Sequence, residues 1–138
     1  MKKEIPIVLL THGYFGKELI GSAELIVGKI ESIQSVSLIK GMTIEEYYKE
    51  VKAVIQQFEG EVLVLTDMFG GTPSNISLMV QKEFPIHILC GVNLPMLLEL
   101  VVSQQVTSSV EELLNKVINA GKDAIYQPKE IVIEEFDA

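Results

Sequence analysis

Ile7-Val8-Leu9-Leu10-Thr11-His12-Gly13 sets a histidine at the end of an unbroken apolar run. Val8, Leu9 and Leu10 read as a buried strand, and Gly13 lets the chain turn sharply after His12. The carboxyl ends of strands are where open α/β sheets place their ligands. An imidazole there serves as nucleophile, proton carrier or metal ligand, because its pKa lies near neutrality. A second run, Val62-Leu63-Val64-Leu65-Thr66-Asp67, ends in the same way on a carboxylate.

Outward from these two strands, helix and strand patterns alternate. The first strand spans about Ile5–Leu10. Leu19, Ile20, Ala23, Ile26, Val27 and Ile30 then share one helical face, with Gly28 near its end. Ser35–Ile39 reads as a second strand. Thr43 and Glu46 have the spacing of a capping box before the stripe Tyr47, Val51, Val54, Ile55 and Phe58. Glu61–Thr66 is the third strand, after which Thr72 is placed to cap a helix carrying Pro73 in its first turn and reaching about Lys82. The fourth strand covers about Ile86–Gly91, followed by a helix from Asn93-Leu94-Pro95 to Val102. Ser109 and Glu112 repeat the capping-box spacing ahead of a last helix. This order predicts an α/β fold: a doubly wound, mainly parallel central sheet with helices on both faces. Residues 130–136 have β character and follow the last helix, so they are expected to close an edge antiparallel or to pair with another chain.

Length and composition narrow the classes. At 138 residues the chain reads as one domain over 1–138, able to bury roughly 68% of its unfolded surface. No apolar window approaches the ~18 residues of a membrane span, and the start Met1-Lys2-Lys3-Glu4-Ile5-Pro6 lacks a signal-peptide core. A single cysteine, Cys90, forbids an internal disulfide and fits a cytoplasmic protein. Lying in Ile88-Leu89-Cys90, it is expected to be a buried small hydrophobe. The net charge of −8 argues against a nucleic-acid partner and suits small molecules or complementary protein surfaces.

Three strand ends carry small or polar clusters: Thr11-His12-Gly13, Asp67 to Thr72, and Gly91-Val92-Asn93. In a doubly wound sheet they gather on one rim. Asp67 is typed to accept a hydrogen bond from one ring nitrogen of His12, leaving the other as a nucleophile and stabilising the ring once it turns positive. Gly70 and Gly71 let backbone approach closely, and the N–H groups at Thr72 to Asn75 head a helix, a ready receptor for phosphate. Thr72 and Ser74 add hydroxyls. The candidate site is thus His12 and Asp67 for the chemistry and Gly71, Thr72, Pro73, Ser74 and Asn75 for the phosphate. Thr11, Gly13, Phe69, Gly70 and Asn93 line it. The combination spells phosphoryl transfer through phosphohistidine, with no metal and no cofactor.

Each part alone has a plainer reading. A histidine at a strand end is more often a structural residue, Asp67 a turn former, and Gly70-Gly71-Thr72-Pro73 an ordinary loop. Their conjunction on one rim favours the site. Thr11 to Glu18 resembles a P-loop but lacks its first glycine and its final Ser/Thr. A receiver domain phosphorylated on Asp67 would want acidic residues where Thr11 and His12 stand. His87 begins the fourth strand, at the rim opposite His12, and reads as structural; a zinc site would need at least three ligands.

The three segments Ile7–Gly13, Leu65-Thr66-Asp67-Met68-Phe69-Gly70-Gly71-Thr72-Pro73-Ser74-Asn75 and Gly91-Val92-Asn93-Leu94-Pro95-Met96-Leu97 resemble the signatures of mannose-family enzyme IIA, a component of the bacterial phosphoenolpyruvate-dependent sugar phosphotransferase system. The resemblance runs in order over about residues 5 to 125. Thr72 stands where a serine is frequent, and Tyr14 keeps the aromatic after the His-Gly pair. The resemblance implies that His12 takes a phosphoryl group from HPr onto Nε2, while Asp67 holds Nδ1. His12 then passes the group to enzyme IIB, and the membrane subunits IIC and IID take part indirectly. It also implies a homodimer in which a C-terminal strand can be exchanged, with 130–136 as the candidate. The short acidic end after Phe136 fits a free-standing subunit. Two other readings share the rim: the phosphoryl donor subunit of a dihydroxyacetone kinase, and a non-catalytic anion-binding regulatory module.

Overall fold

The computed structural model describes residues 4–129. Four strands, β1 (Ile7–His12), β2 (Ile33–Leu38), β3 (Val62–Thr66) and β4 (Ile86–Cys90), alternate with helices α1 (Phe15–Val27), α2 (Ile44–Ile55), α3 (Thr72–Gln81), α4 (Leu94–Ser103) and α5 (Val110–Asp123). The strands pair in parallel in the order β2-β1-β3-β4. The expected doubly wound α/β architecture is what forms. Residues 130–136, the candidate edge or exchanged strand, lie outside the described residues.

Strand period explains the two-sided core, since successive side chains leave opposite faces. Ile7, Leu9, Leu63 and Leu65 point to one face, where Ala23 of α1, Leu97 and Leu100 of α4 and Leu113 and Val117 of α5 cover them. Val8, Leu10, Val62, Val64 and Ile86 point to the other, against Tyr47, Val51 and Ile55 of α2 and Ile76 and Val80 of α3. A sheet buried on both sides needs apolar residues at every position, which is why β1 and β3 read as runs and not as alternations.

The helix starts follow their sequence signals with two exceptions. Thr43 and Glu46 form the reciprocal capping box of α2 (Glu46 N to Thr43 Oγ1, 3.0 Å; Thr43 N to Glu46 Oε1, 2.8 Å). Ser109 caps α5 through the Glu112 N–H. In contrast, α1 begins at Phe15, four residues before its apolar face, and its N-cap Tyr14 contributes no side-chain bond. The cap comes instead from the strand, where Thr11 Oγ1 accepts from Gly16 N at 2.9 Å. On this helix Ile26 does not join the buried face but stands exposed beside Leu25. The second correction is Thr72: the N-cap of α3 is Gly71, and Thr72 is the first helical residue with no capping bond of its own.

Strand order decides where a site can form. The chain leaves β1 toward β2 on one side and leaves β3 toward β4 on the other. The carboxyl ends of β1 and β3 therefore flank the switch point, where the outgoing connections part and leave a crevice. The last β1–β3 pair is Leu10 with Thr66. His12 and Asp67 follow at once. Among the described residues no helix is long and apolar enough to cross a membrane.

Candidate functional site

Asp67 holds His12 by two bonds to a single oxygen. Its Oδ2 accepts from the His12 backbone N–H at 2.8 Å and lies 2.8 Å from His12 Nδ1. Its Oδ1 accepts from Met68 N at 3.0 Å, so the carboxylate is itself fixed. A carboxylate only accepts, which puts the ring proton on Nδ1 and leaves the lone pair on Nε2. The side chain of Asp67 is 15% exposed and that of His12 is 48% exposed: the orienting group is sheltered while the ring faces solvent.

The second nitrogen lies over the start of α3. A Cβ placed on Gly71 would sit 2.6 Å from His12 Cε1 and 3.0 Å from Nε2. Only glycine leaves room for the ring here. The need for a glycine pair was legible in the sequence as room for a phosphate; at Gly71 it is first room for the imidazole. Gly70, with φ of 94°, supplies the left-handed turn that swings the chain from β3 into the helix.

Of the four positions expected to head the phosphate cradle, two keep a backbone donor with no acceptor among the described residues. Pro73 has no N–H, and Asn75 N donates to Gly71 O at 2.9 Å. The N–H groups of Thr72 and Ser74 have no acceptor among the described residues and stand at the positive end of α3. Ser74 as a whole is 1% exposed, with its Oγ 3.9 Å from Cys90 Sγ, so its hydroxyl is turned into the fold. Thr72 is half-buried at the rim.

The lining residues divide. Gly13, with φ of 56°, hands its N–H to Leu38 O and ends β1 against β2. Thr11 is buried and caps α1. Phe69 stands 72% exposed above the rim, together with Met68, Tyr14 and Phe15. Asn93 lies on the same rim by position, but its amide serves packing: Oδ1 accepts from Met96 N at 3.1 Å and Nδ2 donates to Gly121 O at 3.2 Å. Cys90, expected to be buried, is exposed at the end of β4. The apolar run that surrounds it is real; the strand simply runs out at the rim.

One residue of the site's floor was visible only as part of a helical stripe. Tyr47 is fully buried and donates to Val36 O at 2.8 Å. Burial, and then the charges of Asp67 and Glu50, hold its phenol well above the ordinary tyrosine range. It stays a neutral donor that ties α2 to β2 beneath the rim. His87, the second histidine, sits in the first half of β4 opposite Leu63, and its Nε2 lies 2.9 Å from Glu61 Oε1.

Comparison with known proteins gives this geometry its context. Residues 6–118 match the EIIA-man family, PTS system fructose IIA component. The chain is 34% identical over 117 residues to the PTS system fructose-specific EIIA component of Bacillus subtilis, covering 82% of this chain and 79% of that one. It is 28% identical over 135 residues to the PTS system mannose-specific EIIAB component of Escherichia coli, covering 95% of this chain and 42% of that one. The chain thus spans less than half the length of that relative. The crystal structure of phosphotransferase system component EIIA from Streptococcus agalactiae superposes with a TM-score of 0.83 at 35% identity, over 89% of this chain and 96% of that one.

Proposed function

The chain belongs to the EIIA-man family of phosphotransferase-system components, and on that premise we propose that it is a phosphocarrier that holds its phosphoryl group on His12 Nε2. One observation carries the assignment. Asp67 Oδ2 occupies Nδ1 at 2.8 Å, while the other ring nitrogen lies over Gly71 at the amino end of α3.

The reaction follows from that arrangement. Nε2 of neutral His12 attacks the phosphorus of a phosphohistidine on HPr. The new bond to Nε2 forms as the bond to the donor imidazole breaks, and the donor ring is the leaving group. The proton on Nδ1 stays in place, so the modified ring gains positive charge, which Asp67 offsets across the hydrogen bond. The Thr72 and Ser74 N–H groups, with the dipole of α3 behind them, receive the equatorial oxygens. Thr72 Oγ1 is the hydroxyl best set to add a further donor. Transfer in the reverse geometry delivers the group to enzyme IIB, and sugar is phosphorylated downstream with the membrane subunits IIC and IID. The donor is already activated, so positioning and electrostatics suffice and no metal ion is invoked.

The remaining expectations of the family reading stand with this proposal: a cytoplasmic subunit, one domain over 1–138, working as a homodimer. The dihydroxyacetone-kinase donor and the anion-binding module draw no specific support from the site, whereas the family match spans all three glycine-bearing rim segments. Incubation with phosphoenolpyruvate, enzyme I and HPr, read by intact mass, tests the carrier role. One phosphoryl adduct that requires HPr and is lost in His12→Ala is the expected result. A folded wild-type chain that takes no adduct, beside an active control IIA, would overturn it.

A further inference from the structure

Resting on the phosphocarrier reading of His12, we propose that Thr11 is a positioning residue for phosphoryl transfer, its buried hydroxyl holding the turn that carries the imidazole. Thr11 precedes His12 on β1, is fully buried, and ends the sheet face begun by Ile7 and Leu9. The rest of that face is hydrocarbon packed against α1, α4 and α5. Valine has nearly the same shape, so burial alone gives no reason for an oxygen there. A buried hydroxyl costs free energy unless it is bonded.

Both bonds of that hydroxyl fall on the turn after His12. Oγ1 accepts from Gly16 N at 2.9 Å and donates to Gly13 O at 3.4 Å, the longer of the two. Three consecutive peptide groups around His12 are thereby held. Asp67 Oδ2 takes the His12 N–H at 2.8 Å, Leu38 O takes the Gly13 N–H at 2.8 Å, and Thr11 takes the Gly13 carbonyl. An ordinary N-cap would satisfy Gly16 from within the loop. Tyr14 contributes no such bond, so α1 is fastened to the strand and not to its own connection. Packing agrees with the bonding. A Cβ on Gly16 would stand 3.0 Å from Thr11 Oγ1, 3.1 Å from Thr11 Cγ2 and 3.2 Å from Leu9 Cβ, so the helix start rests directly on this side chain.

The ring that this turn carries has little slack. A Cβ on Gly71 would stand 2.6 Å from His12 Cε1 and 3.0 Å from Nε2, so the imidazole already fills the slot above α3. Misplacing a reacting group by about 1 Å costs up to about 10²-fold in rate. Asp67 fixes the tautomer and one edge of the ring; Thr11 fixes the backbone from which the ring hangs.

The test compares wild type, Thr11→Val and Thr11→Ser in rapid-quench transfer from phospho-HPr, each rate corrected for the folded fraction found by urea unfolding. Thr11→Val keeps the shape and loses the oxygen. Its limiting rate is expected to fall about tenfold while the half-saturating phospho-HPr concentration changes less than about twofold, because a misplaced nucleophile penalises the step after docking. Thr11→Ser loses a buried methyl and some stability, yet is expected to keep the rate within about twofold, since it retains the hydroxyl. The nuclear Overhauser contact between His12 Hε1 and a Gly71 α-proton should be strong in wild type and Thr11→Ser and weakened in Thr11→Val. Should Thr11→Val not fold, Thr11→Ala beside Thr11→Ser makes the same comparison, since those two differ only by the oxygen. A wild-type rate without the hydroxyl, a Thr11→Ser variant as slow as one lacking it, or an unchanged ring contact would each overturn the positioning role and leave the carrier reading standing. No phosphoryl adduct on folded wild type would overturn both.

Discussion

The sheet holds a histidine–carboxylate pair at each rim, and the two differ in everything except their bond length. At the carboxyl rim His12 Nδ1 lies 2.8 Å from Asp67; at the amino rim His87 Nε2 lies 2.9 Å from Glu61. Asp67 is sheltered and also binds the His12 backbone, whereas Glu61 is 53% exposed on a turn. The free nitrogen of His12 faces a glycine at the head of a ten-residue helix. His87 lies within β4, where the helix before it arrives with its negative end. A histidine with a carboxylate is therefore not a site. What separates the two is a fixed orienting group, a second nitrogen left open, and a positive helix terminus beneath it.

That contrast can be broken most forcefully by removing each ring. His12→Ala is expected to abolish phosphoryl acceptance from HPr, a loss of more than about 10³-fold. His87→Ala should leave the rate within about twofold, and since its pair is largely solvated, stability should change by less than about 1 kcal/mol. Rapid-quench phosphorylation together with urea unfolding reads both. Asp67→Ala keeps the nucleophile but frees the tautomer and the ring, and should slow transfer by about 10²–10³-fold. Gly71→Ala should cost about 10²-fold, because the added methyl would stand 2.6 Å from His12 Cε1 and the ring must move. Circular dichroism would show the fold retained in all of these.

Two smaller effects sharpen the comparison away from the chemistry. Thr43→Ala, which removes the cap of α2 near the carboxyl rim, is expected to cost about 1 kcal/mol in urea unfolding without altering transfer. Farther along, Glu83 accepts from Tyr48 Oη at 2.7 Å and from Lys52 Nζ at 3.2 Å, and these bonds, that of Tyr48 first, hold its carboxyl below the ordinary value. A carboxyl lowered by folding stabilises the native state above the ordinary carboxylate pKa, and the contribution fades as pH falls through the lowered folded value. In Tyr48→Phe the Glu83 side-chain titration should move upward, toward the ordinary carboxylate value. An unchanged midpoint would show that Lys52 alone sets it.

The sheet and the pairing of His12 with Asp67 were legible because they depend on local pattern. Apolar runs at Ile7–Leu10 and Val62–Leu65, with helical stripes between them, can satisfy their burial only in a parallel layer, and that layer brings the strand ends to one rim. What escaped the sequence depends on contacts between distant residues. The cap of α1 is hidden because it comes from Thr11, on the preceding strand and not on the helix. Cys90 reads as core from its neighbours, yet its exposure is set by where β4 stops. Gly71 reads from the sequence as room for a phosphate, and only the structure shows the close approach of the His12 ring that a glycine permits there.

The most direct test of the central claim is a long-range ¹H–¹⁵N correlation spectrum of both imidazoles, recorded before and after phosphorylation by phosphoenolpyruvate, enzyme I and HPr. The account predicts that free His12 carries its proton on Nδ1, that the phosphoryl group appears on Nε2 of His12, and that the His87 signals do not move. A phosphoryl group on Nδ1 of His12, or any on His87, would contradict it.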